Sequence, residues 1–161
     1  MPSLVEDALS FELAFHPPLD WPALSRFLAD RAVSSVEAVV DGAYRRTVSI
    51  EHHGCNALGW LEVRPAPHAK PALVVHLSSS LGSAVPQVLA RVERLFDLGC
   101  DPREIASRLG PLAAAHPGLR VPGAFDGFEI AARAVLGQQV TVKAARTLAG
   151  RFAARFGTPV P

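Results

Sequence analysis

Residues 119–157 read LRVPGAFDGFEIAARAVLGQQVTVKAARTLAGRFAARFG. The spacing predicts two helices meeting at a tight turn, Gly137-Gln138-Gln139-Val140, with Thr141 placed to start the second. Asp126 supplies an N-cap oxygen for the first helix, and Glu129, three residues on, is expected to bond back to the cap's own N–H. Pro122 and Gly123 keep the incoming chain out of the helical region. Ile130, Ala131, Ala134 and Val135 form an apolar stripe at helical spacing. In the second helix Val142, Ala145, Leu148, Ala149, Phe152 and Phe156 are expected to form a buried seam. Lys143, Arg146, Arg151 and Arg155 are expected on the opposite side, with Gly157 as a C′ glycine. A basic outer face of this kind suits a phosphate backbone, with Lys143 and Arg146 as the candidate phosphate contacts.

Working outward, the charge is uneven. The 161 residues carry a formal net charge of +1, yet residues 117–161 hold six Lys/Arg (Arg120, Arg133, Lys143, Arg146, Arg151, Arg155) against Asp126 and Glu129. A basic end on a near-neutral chain points to a local anion-binding face rather than to a bulk polycation. Cys55 and Cys100 lack CxxC spacing and read as free thiols of a reducing compartment. No apolar run approaches membrane-spanning length, and MPSLVEDALS is too acidic for a signal peptide. The expectation is a soluble cytoplasmic protein.

Before the helical stretch the pattern is different. Ser10–Phe15 alternates as a half-buried strand, and Asp20-Trp21-Pro22 opens a helix to about Ala32 that presents Leu24, Phe27, Leu28 and Arg31 along adjoining positions. Val36–Val40 and Tyr44–Ile50 are strands joined by the hairpin turn Asp41-Gly42. Ala57–Val63 is a strand interrupted by Gly59, and Ala72–Leu77 is a last apolar strand. Ser79–Ser83 links to a helix over about Ala84–Leu98, and Asp101-Pro102 with Glu104 opens a shorter helix ending at Gly110. The expectation is an α+β fold: an antiparallel sheet with helices over residues 1–112, then the first helices of an all-α piece over residues 113–161.

Chemistry is sparse. His52, His53 and Cys55 cluster without a second ligand group, so no metal is expected. GxSxG, Walker A and GxGxxG patterns are absent, which leaves acyl transfer and nucleotide-dependent chemistry without support, and no cofactor is expected. A helix, a short turn and a second helix also describe a helix-turn-helix reader, or a structural module assembling with a missing half.

In this context RVPGAFDGFEIAARAVLGQQVTVKAA resembles the opening of the glycosylase domain in the bacterial 3-methyladenine DNA glycosylase II family, the AlkA type. HPPLDWPALSRFLADRAVSSVEAVVDGAYRR, LSSSLG, RLFDLGCDP and HPGLR match in the same order, so the resemblance runs from about Phe11 to Phe156. It implies a sheet domain like one TATA-binding-protein repeat leading into a helix-hairpin-helix glycosylase domain. It also implies a partner, double-stranded DNA with alkylated bases. Such an enzyme inserts a wedge side chain through the minor groove, flips the base into an aromatic pocket and uses an ionised Asp at the sugar.

Carried onto this chain, the resemblance places the wedge at Gln138 and Gln139, with Val140 and Thr141 beside the DNA backbone. Phe27 becomes a pocket wall with Arg31 on the same face. One departure is Gln139, where the family's best-known members carry leucine. The larger departure is that neither the Leu-Pro-Gly-x-Gly hairpin nor a matching catalytic Asp occurs before Pro161. No carboxylate here takes the catalytic role, so the chain alone is expected to be inactive. Its apolar last helix, with Phe152 and Phe156, is expected to favour self-association.

Overall fold

The computed structural model describes residues 8–52 and 54–160. Five antiparallel strands form one sheet in the order β1-β5-β4-β3-β2. They are β1 (Ala8–Ala14), β2 (Glu37–Val40), β3 (Ala43–His52), β4 (Cys55–Pro65) and β5 (Ala72–Ser78). The first strand pairs with the last, Phe11 opposite Val75 and Leu13 opposite Leu73, so the sheet closes only after the whole first half of the chain has been made.

Period-2 alternation builds the core. Tyr44, Val63 and Val75 align across three strands, as do Arg46, Leu61 and Leu77, and all six side chains are buried. This face is covered by α1 (Trp21–Arg31), a 3-10 segment (Ser79–Ala84) and α2 (Val85–Leu95). Phe96 sits between Trp21 and Tyr44, with ring centroids 5.4 Å and 5.6 Å away. Asp20 caps α1 by accepting from the Ala23 N–H at 2.9 Å, as its N-cap pattern predicts. Asp41 and Gly42 both adopt positive φ, 51° and 73°, the turn that matches the twist of a two-residue hairpin.

Several expectations are corrected. β4 runs through Gly59 without interruption. A Cβ at Gly59 would lie 2.1 Å from the Ser78 hydroxyl oxygen and 2.8 Å from that of Ser80, so the glycine admits the serine segment against the strand. Ser78 Oγ accepts from the Trp60 N–H at 3.1 Å, and Ser80 donates to the Leu58 carbonyl at 2.7 Å. These hydroxyls satisfy β4 backbone groups where the ladder to β5 ends. Next, α2 stops at Leu95, three residues short of the expected end, because Asp97 turns left-handed at φ 51°.

The rest of the chain is helical: α3 (Pro102–Leu109), α4 (Pro111–Ala114), α5 (Gly127–Leu136) and α6 (Val142–Phe156). Arg120, counted above with the basic end, is buried instead, donating to the carbonyls of His16, Pro18, Asp97 and Cys100. It staples the lead-in of α5 to the sheet domain. Gly157 closes α6 in extended conformation rather than as a left-handed C′ residue. The expected buried seam is also corrected. Ala149 is the sole buried residue of α6, while Val142, Leu148 and Phe156 are exposed, as are Ile130, Ala131, Ala134 and Val135 on α5. Phe128, Phe152 and Phe156 stack at 6.5 Å and 5.1 Å beside a second, apolar cavity of about 270 Å³. Among the described residues nothing covers this face of the hairpin.

Candidate functional site

The α1 helix presents Phe27 and Arg31 one turn apart, outside the core. Phe27 is 41% exposed, and the Arg31 guanidinium lies 3.8 Å above its ring centroid while Nη1 donates to the Phe27 carbonyl at 3.3 Å. Both line a cavity of about 450 Å³ that also touches Gly137 and Val140 of the α5–α6 turn and Val142, Ala145 and Arg146 of α6. The structure therefore brings together Phe27, Arg31, Val140 and Arg146, residues more than a hundred positions apart in the chain.

The remaining candidates lie at the rim. Gln138 and Gln139 are exposed at the tip of the turn. Gln139, not Gly137, supplies the left-handed residue, at φ 56°. Thr141 caps α6, accepting from the Ala144 N–H at 3.2 Å, so its hydroxyl is already in use. Lys143 is exposed with no acidic partner among the described residues. Arg146 departs from the outer face assigned to it. Spacing of three, four and seven residues puts Val142, Ala145, Arg146 and Ala149 on one side of α6, facing the cavity. Its Nε donates to the Ala32 carbonyl at 3.2 Å, and Arg133 Nη1 donates to the Arg31 carbonyl at 3.2 Å. Two guanidinium groups thus close the C-terminal end of α1, where orphan carbonyls and the negative end of the dipole favour cations.

Beneath this rim lie charged residues that sequence reasoning missed. Arg46, its side chain only 3% exposed, ion-pairs with Glu129, stacks 4.0 Å over the Phe125 ring and donates to the Thr47 carbonyl at 3.0 Å. Glu129 therefore does not complete the expected capping box. A buried guanidinium is the stronger claimant on its carboxylate, and Asp126 alone accepts from the N–H groups of Phe128 and Glu129. Glu37, its side chain 6% exposed, ion-pairs with Arg133 and accepts from the Tyr44 hydroxyl at 2.5 Å and the Val33 N–H at 3.3 Å. Burial pushes the Tyr44 phenol well above its ordinary pKa. Burial also works against the Arg46 charge, but the acidic groups of Tyr44, Glu129 and Glu37 around it more than offset that and raise its pKa. The available signal was period 2: Tyr44, Arg46, Val48 and Ile50 share one strand face.

Every carboxylate lining the cavity is committed: Glu37 and Glu129 as above, Asp126 as a cap and as the partner of Arg91 at 3.2 Å. Among the described residues no three His, Cys, Asp or Glu side chains come together as metal ligands, and His53 of the His52/His53/Cys55 cluster lies outside those residues. No described helix is long and apolar enough to cross a membrane. The site as it stands is an aromatic and cationic wall facing a helical turn.

The chain is 42% identical over 149 residues to DNA-3-methyladenine glycosylase 2 of Escherichia coli (strain K12), covering 91% of this chain and 50% of that protein. It is 38% identical over 159 residues to a probable bifunctional transcriptional activator/DNA repair enzyme AlkA of Mycobacterium tuberculosis (strain H37Rv), covering 94% and 30%. The chain thus spans half or less of the length of these relatives. The fold matches that of a 3-methyladenine DNA glycosylase from Archaeoglobus fulgidus with a TM-score of 0.70 at 18% identity, covering 91% of this chain and 50% of that one. Residues 10–126 match the model of the AlkA N-terminal domain, and the chain belongs to that family.

Proposed function

We propose that this chain is part of a DNA repair glycosylase, one that flips alkylated bases of the 3-methyladenine type out of duplex DNA and hydrolyses the N-glycosidic bond. The observation that carries the reading is the single cavity shared by Phe27 and Arg31 on one side and the α5–α6 turn on the other. A base must leave the stack before its glycosidic bond can be reached, and the enzyme needs a wedge beside a pocket to hold it there. Gln138 and Gln139 are the wedge, Val140 and Thr141 lie along the backbone, and Lys143 takes a phosphate. Phe27 offers a π face to a cationic base. Arg31 covers one face of that ring, so the base meets the other.

In this reading residues 1–112 are the sheet domain and residues 113–161 open the helical glycosylase domain. The protein acts in the cytoplasm on nucleoid DNA, without metal or cofactor. The committed carboxylates leave no general base at the cavity, so this chain by itself releases no alkylated base.

The test is binding. A duplex carrying a tetrahydrofuran abasic analogue should bind the chain about tenfold more tightly than the intact duplex of the same sequence. Equal affinity for both, or strong selection among unrelated sequences, would replace this reading with a plain DNA-binding module. Release of methylated bases by the pure chain would overturn the assignment of the carboxylates.

A further inference from the structure

Glu37 and Arg46 are register partners across β2 and β3, and Glu129 and Arg133 lie one helical turn apart on α5. The ion pairs Arg46–Glu129 and Glu37–Arg133 join these two couples into a square whose signs alternate at every corner. We propose that these four are positioning residues that set where the α5–α6 hairpin, and with it the Gln138–Gln139 turn, stands relative to the wall formed by Phe27 and Arg31.

The pattern specifies one docking. Sliding α5 by a turn along the sheet, or reversing its direction, would set like charges against each other at short range. The two halves of the square are built unequally. On the sheet side Arg46 is held by the Thr47 carbonyl, and Glu37 by the Tyr44 hydroxyl and the Val33 N–H. That half is a fixed template, and the helix is the part that docks. Along α5 itself close packing does not set the distance, because Ile130 and Ala134 face the cavity of about 450 Å³ and the buried Phe125 lies ahead of the helix. Directional ion pairs beneath the rim do so instead. That the hairpin is held follows from the square. What it is held for rests on the base-flipping reading above.

The test reads position directly. Nitroxide labels at Ser49→Cys on β3 and Ala154→Cys on α6, with Cys55→Ser and Cys100→Ser, report the sheet-to-hairpin distance by pulsed EPR. Both label sites are exposed and lie away from the cavity. The parent should give a narrow distribution. Glu129→Gln and Arg133→Gln should each broaden it about twofold while circular dichroism shows the sheet intact, and Arg133→Lys should stay near the parent. Exchanging the helix pair alone (Glu129→Arg with Arg133→Glu) should broaden it further, and adding Glu37→Arg with Arg46→Glu should restore it. Parent-like widths in both neutral variants overturn the proposal even if the four-way exchange fails to fold.

The same variants are titrated with the abasic duplex. Broadening accompanied by a loss of affinity of about tenfold ties the position to DNA. Broadening at unchanged affinity overturns that tie. A parent with no preference for the abasic duplex removes the base-flipping reading, and the distances then decide the square alone.

Discussion

Glu37 and Arg46 face each other across the β2–β3 pair, yet each reaches past the other to an oppositely charged residue of α5. A guanidinium as enclosed as that of Arg46 has no water to fall back on. Removing one partner of such a pair leaves an uncompensated charge and costs about 3–5 kcal/mol, whereas replacing both leaves nothing unpaired. Glu129→Leu is therefore expected to cost about 2–3 kcal/mol in urea unfolding, discounted because the Glu129 carboxylate is partly exposed. Arg46→Met combined with Glu129→Leu should recover more than half of that loss. A double variant less stable than Glu129→Leu alone would show that the Phe125 stack and the Thr47 bond, not the ion pair, hold Arg46 in place.

Gly59 offers a second test. A β-carbon there would meet the Ser78 and Ser80 hydroxyls and Leu81, and Leu81 belongs to the buried core. Gly59→Ala must displace the Ser78 and Ser80 hydroxyls and crowd Leu81, breaking the bonds to the Trp60 N–H and the Leu58 carbonyl. We expect about 2–3 kcal/mol of destabilisation, read as a lower urea midpoint at unchanged slope. Ser80→Ala, which removes one of those bonds and adds no bulk, should cost only about 1 kcal/mol. Equal losses would mean that the hydrogen bond, not the space, matters.

What the sequence made legible follows the range of each interaction. Local chemistry reads well: the Asp20 and Thr141 caps and the Asp41-Gly42 turn are each set by neighbours a few residues away. Gly59 reads as a break because its reason, the serine segment some twenty residues later, is not local. The buried Arg46 was hidden in a strand next to the half-exposed Arg45, and only the register tells them apart. Arg146 was placed by its charge when its spacing to Val142 and Ala149 put it on the cavity face. Glu129 matched a capping box and was taken by a residue 83 positions away. Of the candidate site, Phe27 and Arg31 took their roles from the resemblance alone, since an aromatic in an amphipathic helix otherwise reads as core.

The opposite face of the sheet sets a pH limit. Glu62 is nearly buried between Arg45 on β3 and Arg64 on its own strand. Burial alone would raise its pKa, but the hydrogen bonds from Arg64 and Arg45 outweigh burial and hold it below the ordinary carboxylate value. A depressed folded-state pKa stabilises the fold above the unfolded carboxylate value and loses that contribution as pH falls through the folded one. Because both arginines are substantially exposed, the contribution at neutral pH is only about 1 kcal/mol. Glu62→Gln should lower the thermal midpoint at pH 7, and its difference from the parent should shrink as pH falls below the ordinary carboxylate value. A constant difference across that range would assign the effect to packing.

The uncovered face of the hairpin carries Phe128 and Phe156, each 70% exposed. On an apolar patch of this kind self-association of the chain is expected. Sedimentation velocity should show reversible self-association that Phe128→Ser with Phe156→Asp abolishes while the far-ultraviolet spectrum is retained. A strictly monomeric parent at millimolar concentration would dispose of this expectation.

Gln139 separates structure from function at the turn itself. It holds φ at 56°, a conformation that costs a non-glycine residue about 1 kcal/mol and a β-branched one more. Gln139→Gly should therefore raise the thermal midpoint, and Gln139→Val should lower it. If the glutamine side chain fills the gap left by a flipped base, the stabilised Gln139→Gly chain should nevertheless lose most of its preference for the abasic duplex. Gln139→Leu, apolar and of similar length, should keep that preference. The two readouts thus move in opposite directions in one variant, and no account in which the residue merely closes a turn produces that pattern. Should Gln139→Gly bind the abasic duplex as well as the parent, the wedge passes to Gln138 or to nothing in this turn.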